Sequence, residues 1–509
     1  MTEPKPPAPS VVVIGAGFGG IGLGVMLKRA GFTDFTILER GGDIGGVWRE
    51  NTYPGAACDV PSSLYSYSFA PHPTWPRRYS AQPDILGYLR RTAEEHGVIG
   101  HVRLNTAVTG AEFDPAARSW RVYTADGRHV DADVLVSAVG QLSRPAIPDI
   151  PGTGTFQGRI FHSARWEHDA DLAGKRIAVI GTGASAIQFV PRIQPAAARV
   201  TVFQRSAPYV VPKPDRAYRR WHHRLFQALP VSQLAGRAGT WCTGELLTIA
   251  LTSARPLGRL VALVSRLHLR RQVPDARLRA RLRPDHRVGC KRVLFSNDWF
   301  PALGRPNVDV VTDRITELTP TGVRTADGGE HPADVVIYGT GFEATEFLSP
   351  MSIRGLRGRE LTDEWSGGAR AYLGITVPGF PNMFLVYGPN TNLGGNSVIY
   401  MLERQCRYIL QVLHGIRAAK ASCVDVRRDV AESFDTELQR RLVDGVWSGC
   451  SNWYRAAGGR ISTNWPGLLR EYHRRTARVD FADYREVSPE AGDAEIGVGT
   501  NRIPSAEVG

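Results

Sequence analysis

The sequence predicts an α/β fold with two Rossmann-like dinucleotide-binding domains and a helical insertion, and three observations carry that reading. The glycine turn Gly15-Ala16-Gly17-Phe18-Gly19-Gly20 stands between an apolar run and a helical pattern. A second turn, Gly181-Thr182-Gly183-Ala184-Ser185-Ala186, repeats the arrangement. Between residues 213 and 288 the alternation stops, and Leu, Ala and Arg recur at helical spacing. One such glycine turn is weak evidence; a strand before it and a helix after it, in both copies, make it strong.

The elements follow in order. Residues 11–15, VVVIG, read as a buried strand running into the first turn. Residues 21–30 carry the helical pattern, and 35–39, FTILE, supply the next strand of a βαβ unit. Residues 176–181, RIAVIG, the helix from about Ser185, and 200–204, VTVFQ, repeat that unit. The stretches 133–140, DVLVSAVG, and 334–341, DVVIYGTG, read as strands that return the chain between domains. After 345 come short strands, a long helix over about 397–415 and another over about 429–443. Beyond Val487 the composition is aperiodic Gly, Ala, Glu and Pro, which predicts disorder. The expected organisation is therefore a first nucleotide domain from 1–145 and 346–486, a second from 146–212 and 289–345, the insertion at 213–288, and a tail at 487–509.

With 509 residues, 42% apolar and 22% charged, the chain can bury two or three cores. Its formal charge is +13, with much of the excess between Arg216 and Arg287 and no nucleic-acid-binding motif beside it. That stretch reads as a solvated helical layer. Its interleaved Trp221, Leu225, Phe226 and Leu229 leave peripheral membrane contact open as a rival. No apolar run is long enough to span a bilayer; residues 246–267 come nearest and are broken by Arg255, Pro256, Arg259 and Arg266. The first ten residues, MTEPKPPAPS, hold no apolar run, so no signal peptide is expected. The six cysteines form no CxxC pair and sit with no histidines at zinc spacing. The expectation is a cytoplasmic protein with reduced thiols and no metal. No sequence signal sets an oligomeric state.

In each glycine turn the first glycine permits the bend, the second admits a pyrophosphate to the backbone, and the third lets helix and strand pack closely. Gly15, Gly17 and Gly20 fill those positions in the first copy, and Gly181 and Gly183 begin the second. Glu39 closes the first unit, 24 residues past Gly15. A carboxylate there accepts ribose hydroxyls and repels a 2′-phosphate, which suits FAD. Arg205 and Ser206 stand at the equivalent place in the second unit, and a guanidinium beside a hydroxyl suits the 2′-phosphate of NADPH.

Between the turns lies Phe156-x-Gly158-x-x-x-His162-x-x-x-Trp166. With it the chain resembles the Baeyer–Villiger monooxygenases, flavoproteins that use FAD and NADPH. Glu167 departs from the Pro or Asp usual after that tryptophan; the tryptophan itself favours this branch over the N- and S-oxygenating flavin monooxygenases, which carry Tyr or Phe there. Further matches fall at Gly45-Gly46-Val47-Trp48 through Tyr53-Pro54-Gly55 to Asp59, at Gly289-Cys290-Lys291-Arg292, and at 334–342. The resemblance covers roughly 10–470. It implies an enzyme that uses NADPH and O₂ to convert a ketone to an ester or lactone through a flavin C4a-peroxide, with a heteroatom oxygenase as the alternative.

It also implies roles. Arg292 is expected over the flavin, holding negative charge on oxygen, because arginine keeps its proton at working pH. Asp59 is expected to position it. Val47, Trp48, Asp59, Tyr65 and Val108 join the flavin contacts. Thr182, Ala184, Ser185, Gln188 and Lys291 join the nicotinamide nucleotide contacts. Phe156, Gly158, His162 and Trp166 are expected to form a hinge linking the two nucleotide domains, and Trp453 and Tyr454 to wall the substrate pocket. The turn at 388–392 is expected to approach the flavin ring. Two other readings are weaker. A pyridine nucleotide–disulfide reductase needs a cysteine pair beside the flavin, and the cysteine spacing offers none. A nucleotide-binding scaffold would not turn over.

Overall fold

The computed structural model describes residues 8–252, 255–419, 423–450, 452–456 and 458–487. The tail expected beyond Val487 lies outside the described residues. Val487 itself is buried, and its N–H donates to the Cys423 carbonyl.

Two five-stranded parallel sheets organise the chain. The first runs Met383–Leu385, Val134–Ser137, Val11–Ile14, Phe35–Leu38, Val102–Arg103. The second runs Val308–Val311, Arg199–Phe203, Arg176–Ile180, Val335–Tyr338, Arg159–His162. Their central strands are apolar without alternation, because both faces of a parallel sheet are covered; all four residues of Val11–Ile14 are buried. Helix α1 (Phe18–Arg29) follows the first strand of the first sheet, and α2 (Ala186–Ile193) follows Arg176–Ile180 in the second. The strand-ending glycine segments at 133–140 and 334–341 belong to the two parallel sheets. A four-stranded sheet pairs Val108–Asp114 with Ser119–Thr124 and, from far along the chain, Ser352–Arg354.

The segment expected to join the two nucleotide domains is an edge strand of the second sheet. Arg159–His162 pairs in parallel with Val335–Tyr338. Gly158 is required at its start, since a Cβ there would lie 2.2 Å from the Asp334 carbonyl oxygen. Phe156 is buried against the same sheet, and Trp166 packs edge-on to Phe161.

The insertion folds as α3 (Arg220–Ala228), α4 (Pro230–Thr252) and α5 (Arg255–Gln272), with α4 and α5 bent by 99° from one another. No helix among the described residues is long and apolar enough to cross a membrane on its own. The long C-terminal helix spans Val398–Ala419 and the next Arg428–Val443.

The cysteine expectation is corrected. Cys290 and Cys450 form a disulfide across 160 residues of chain, while Cys58, Cys242, Cys406 and Cys423 are free thiols. Spacing could not reveal this pair, because only the tertiary fold brings the 289–292 turn against the 446–450 segment.

Candidate active site

The first glycine turn is built as its spacing demands. Gly15 sits at φ +102°, where a Cβ would approach the Ala138 carbonyl oxygen to 2.8 Å. A Cβ on Gly20 would lie 1.9 Å from the Gly15 oxygen, so only glycine lets α1 pack this close to its strand. Gly17 caps α1 with no side chain over the helix end. Opposite it, Gly46 sits at φ +55°, and a Cβ there would meet Gly17 Cα at 3.1 Å. The two glycines thus pack backbone against backbone.

Glu39 is buried beside this turn. Its carboxylate accepts from the Ala16 N–H (2.9 Å), the Gly41 N–H (2.8 Å) and Arg49 Nη1 (2.8 Å). Arg49 is a member of this site that sequence reasoning missed; its place ten residues beyond Glu39 was the only signal. Trp48 Nε1 donates to the Tyr65 hydroxyl (3.1 Å), which joins those two expected contacts. Val108 opens its strand two residues after Thr106, whose N–H donates to the Glu39 carbonyl.

The second turn repeats the plan. Gly181 is at φ +111°, with a Cβ position 2.5 Å from the Gly339 oxygen, while Gly183 and Ala184 are exposed. The Thr182 hydroxyl donates to the Ser206 carbonyl (3.2 Å). Lys291 Nζ donates to the Ser206 hydroxyl (2.6 Å). Burial, then the neighbouring Arg205, push the Lys291 ammonium below its ordinary range. Neither cation has an ion-pair partner among the described residues. Two cations and a hydroxyl gather here, with the Asp285 carboxylate near enough to act on Lys291 without pairing with it, and such a cluster can bind an anion.

Gln188 stands on α2 but reaches into the first unit. Its side-chain oxygen accepts from the Tyr53 hydroxyl (3.0 Å) and the Ala57 N–H (3.3 Å), and its amide donates to the Ala57 carbonyl (3.0 Å). One side chain therefore ties the helix after the second turn to the segment that carries Asp59.

Asp59 and Arg292, 233 residues apart, meet in a bidentate pair. Arg292 Nε donates to Asp59 Oδ2 (3.0 Å), and Nη2 to Oδ1 (2.9 Å) and Oδ2 (2.7 Å). The side chains are 29% and 24% exposed, so the pair is largely withdrawn from water yet still reachable. The facing Asp59 charge outweighs the burial that acts against it and raises Arg292 above its already high value. Its Nη1 makes no hydrogen bond to a described residue, and Arg292 is among the residues that line the adjoining cavity. That cavity is lined by Thr248 and Leu251 of α4, Lys291, Arg292, Gly395 and Tyr454.

Two tyrosines lie near the guanidinium. Burial pushes the Tyr454 hydroxyl up to about 12, with Arg292 opposing, and raises Tyr387 in the same way. Tyr387 sits at φ +68°, a backbone region that a bulky residue holds only when its surroundings force it. Its hydroxyl donates to Asn392 Oδ1 (2.9 Å), and the Gln141 amide donates to the carbonyls of Tyr387 (3.2 Å) and Gly388 (3.1 Å). Tyr387 and Gln141 were not read from the sequence. The turn at 388–392 is buried beneath them, with Asn390 Nδ2 donating to the Ile461 carbonyl at 2.8 Å.

The two expected pocket aromatics separate. Tyr454 is buried in the cavity wall, whereas Trp453 is 39% exposed with its ring 4.3 Å from that of Tyr454. His162 is 2% exposed. Burial, and more weakly Arg165, lower it to about 4, so the ring is neutral and its Nδ1 accepts from the Ala164 N–H (3.0 Å). Cys290 and Cys450 adjoin this site, since Cys290 immediately precedes Lys291 and Arg292. A bonded cysteine pair beside the site is thus present, against the expectation that no pair stands there.

Comparison with known proteins follows this geometry. Residues 12–229 match the family described as pyridine nucleotide-disulphide oxidoreductase. The chain is 44% identical over 506 residues to a Baeyer–Villiger monooxygenase of Streptomyces coelicolor, covering 98% of this chain and 97% of that one. It is 41% identical to a Baeyer–Villiger monooxygenase of Pseudomonas aeruginosa over 95% and 93% of the two chains. Among solved structures, cyclohexanone monooxygenase from Rhodococcus sp. Phi1 bound to NADP+ superimposes with a TM-score of 0.85 at 27% identity, over 94% of this chain and 99% of that chain. An oxidized steroid monooxygenase bound to NADP gives 0.84 at 28%, again over 94% and 99%.

Proposed function

This chain belongs to the Baeyer–Villiger monooxygenases, and from that premise we propose how its residues serve the NADPH- and O₂-dependent conversion of a ketone to an ester or lactone. The residues fit both nucleotides. No side chain covers the N-terminal end of α1 at Gly17, where a pyrophosphate would take the free N–H groups. Gly15, Gly17, Gly20, Glu39, Val47, Trp48, Tyr65 and Val108 would hold FAD, in a domain made of 1–145 and 346–486. Gly181 through Ser185, Gln188, Arg205, Ser206 and Lys291 would hold NADPH, in a domain made of 146–212 and 289–345. When bound, these cofactors supply hydride transfer and the activation of O₂ for delivery to a carbonyl carbon.

The chain's own part is electrostatic and positional. Oxygen transfer to a ketone places negative charge on its carbonyl oxygen, and a fixed donor in a water-poor site lowers the energy of that state. Arg292 is that donor. Its Nε and Nη2 are committed to Asp59, which fixes the plane of the guanidinium and leaves Nη1 without a protein partner in a residue that lines the cavity. Asp59 is a positioning residue. Tyr454 and Tyr387 wall the guanidinium from bulk water. His162, neutral and buried at the end of an edge strand, serves the packing of the second sheet with Phe156, Gly158 and Trp166 and moves no proton.

The observation that carries this reading is the Asp59–Arg292 fork between the two glycine turns. The test is a panel of linear, cyclic and aromatic ketones given to the purified, FAD-loaded protein with NADPH and O₂, with sulfides and amines in parallel. Ester or lactone from a ketone is the expected product. Sulfoxide or N-oxide with no ester from any ketone would assign the chain to heteroatom oxygenation instead.

A further inference from the structure

Eleven of the seventeen exposed large hydrophobic side chains among the described residues fall between Trp221 and Leu267, on the helical insertion. They are ordered. On α5 the exposed face carries Leu257, Leu260, Leu263 and Leu267, with Arg259, Arg266 and Arg270 along its flank. On α4, Val231 is 68% and Leu246 62% exposed. That helix turns both its charges inward: Arg237 donates to the Ser63 and Ser66 carbonyls (2.9 Å each), and Glu245 accepts from the Leu469 N–H (3.0 Å). The two helices meet at 99°, and the exposed apolar side chains of both make up the apolar pad of the insertion.

The charge around the pad is predominantly positive. Residues 216–287 contain fifteen arginines and three acids, Glu245, Asp275 and Asp285, of which Glu245 is buried. A monomeric surface seldom leaves so many neighbouring apolar side chains in water without a partner. A second copy of the chain is a poor partner, because a two-fold contact would set this arginine rim against itself. An apolar face flanked by arginines matches the interface of a bilayer with anionic headgroups.

We propose that the outer face of α3–α5 docks on the surface of an anionic lipid bilayer, lying in the headgroup region without crossing it. The inner face of α4 supplies Thr248 and Leu251 to the wall of the Arg292 cavity. Docking therefore sets that cavity one helix away from lipid. Resting on the ketone reading of the site, this points to apolar ketones that partition into membranes as substrates.

The test needs no turnover, so its outcome is separate from that of the ketone reading. Purified holoenzyme is floated with vesicles of phosphatidylcholine alone and of phosphatidylcholine with phosphatidylglycerol. Flotation with the anionic vesicles, released by about 0.5 M salt, is expected. The triple variant Leu260→Glu, Leu263→Glu, Leu267→Glu should bind at least about a hundredfold more weakly while keeping wild-type flavin content and NADPH oxidation. A second variant, Arg259→Gln, Arg266→Gln, Arg270→Gln, should lose about fivefold per arginine. The proposal is overturned if wild type does not float with anionic vesicles, or if both variants float as wild type does. It is equally overturned if wild type is a dimer that the leucine variant separates.

Discussion

Removing the Arg292 side chain tests the proposed chemistry most directly. In Arg292→Ala the three hydrogen bonds to Asp59 disappear together with the uncommitted Nη1 donor. Loss of one donor aimed at developing negative charge costs roughly 10²–10³ in rate, about 3–4 kcal/mol, and the same loss is expected here in ester formation. Stability should change far less. The Asp59 carboxylate left behind is 24% exposed and can be hydrated, so the cost is about 1 kcal/mol. Arg292→Lys separates charge from geometry. A lysine ammonium keeps the charge but cannot span both Asp59 oxygens and still present a donor to the cavity, so a loss of about 10–100-fold is expected. The assay follows ester by gas chromatography while NADPH consumption and H₂O₂ release are measured in the same sample. The expected result is continued NADPH oxidation that ends in H₂O₂ in place of ester. Ester formation by Arg292→Ala at the wild-type rate would refute the reasoning, as would loss of NADPH oxidation from a variant that still folds with full flavin content.

The remaining predictions concern the second nucleotide, the buried histidine and the cysteines. Lys291→Ala and Arg205→Ala should each raise the KM for NADPH about tenfold, roughly 1.4 kcal/mol, and leave that for NADH unchanged; equal shifts for both nucleotides would remove the 2′-phosphate role. His162, at about 4 in the folded chain against an ordinary 6.5, stays neutral when folded. The unfolded chain binds the extra proton between those values, so the stability this group contributes is full above about pH 6.5 and is lost as pH falls toward 4. The loss reaches about 3 kcal/mol. Urea midpoints across that range should fall less steeply for His162→Asn, whose side-chain oxygen can still accept from Ala164; parallel curves would refute the assignment. Alkylation in denaturant without reductant should label Cys58, Cys242, Cys406 and Cys423 and spare Cys290 and Cys450. Labelling of all six under those conditions would contradict the disulfide.

The sequence was legible where chemistry is local. Both glycine turns, their strands and their helices follow from spacing alone, because a turn at φ above +100° and a helix packed on its own strand leave glycine no substitute at Gly15 and Gly20. Glu39 and Arg205 were legible for the same reason, since each ends a strand at a fixed distance from its turn. The Asp59–Arg292 pair is different. Nothing within 233 residues of intervening chain joins them, and only the family resemblance suggested their partnership. Arg49, Gln141 and Tyr387 were not legible, because each acts through a contact that only the assembled fold creates. The same holds for the Cys290–Cys450 bond. The split between Trp453 and Tyr454 was hidden too, since adjacent aromatics in an irregular segment carry no period from which to tell inside from outside.

The bond between Cys290 and Cys450 has a mechanical meaning. It binds the residue next to Lys291 and Arg292 covalently to the stretch that leads into Tyr454. The guanidinium and its aromatic cover thus cannot drift apart independently: a shift of one drags the other. Engineers who reshape the cavity wall at Tyr454 will also be steering the arginine.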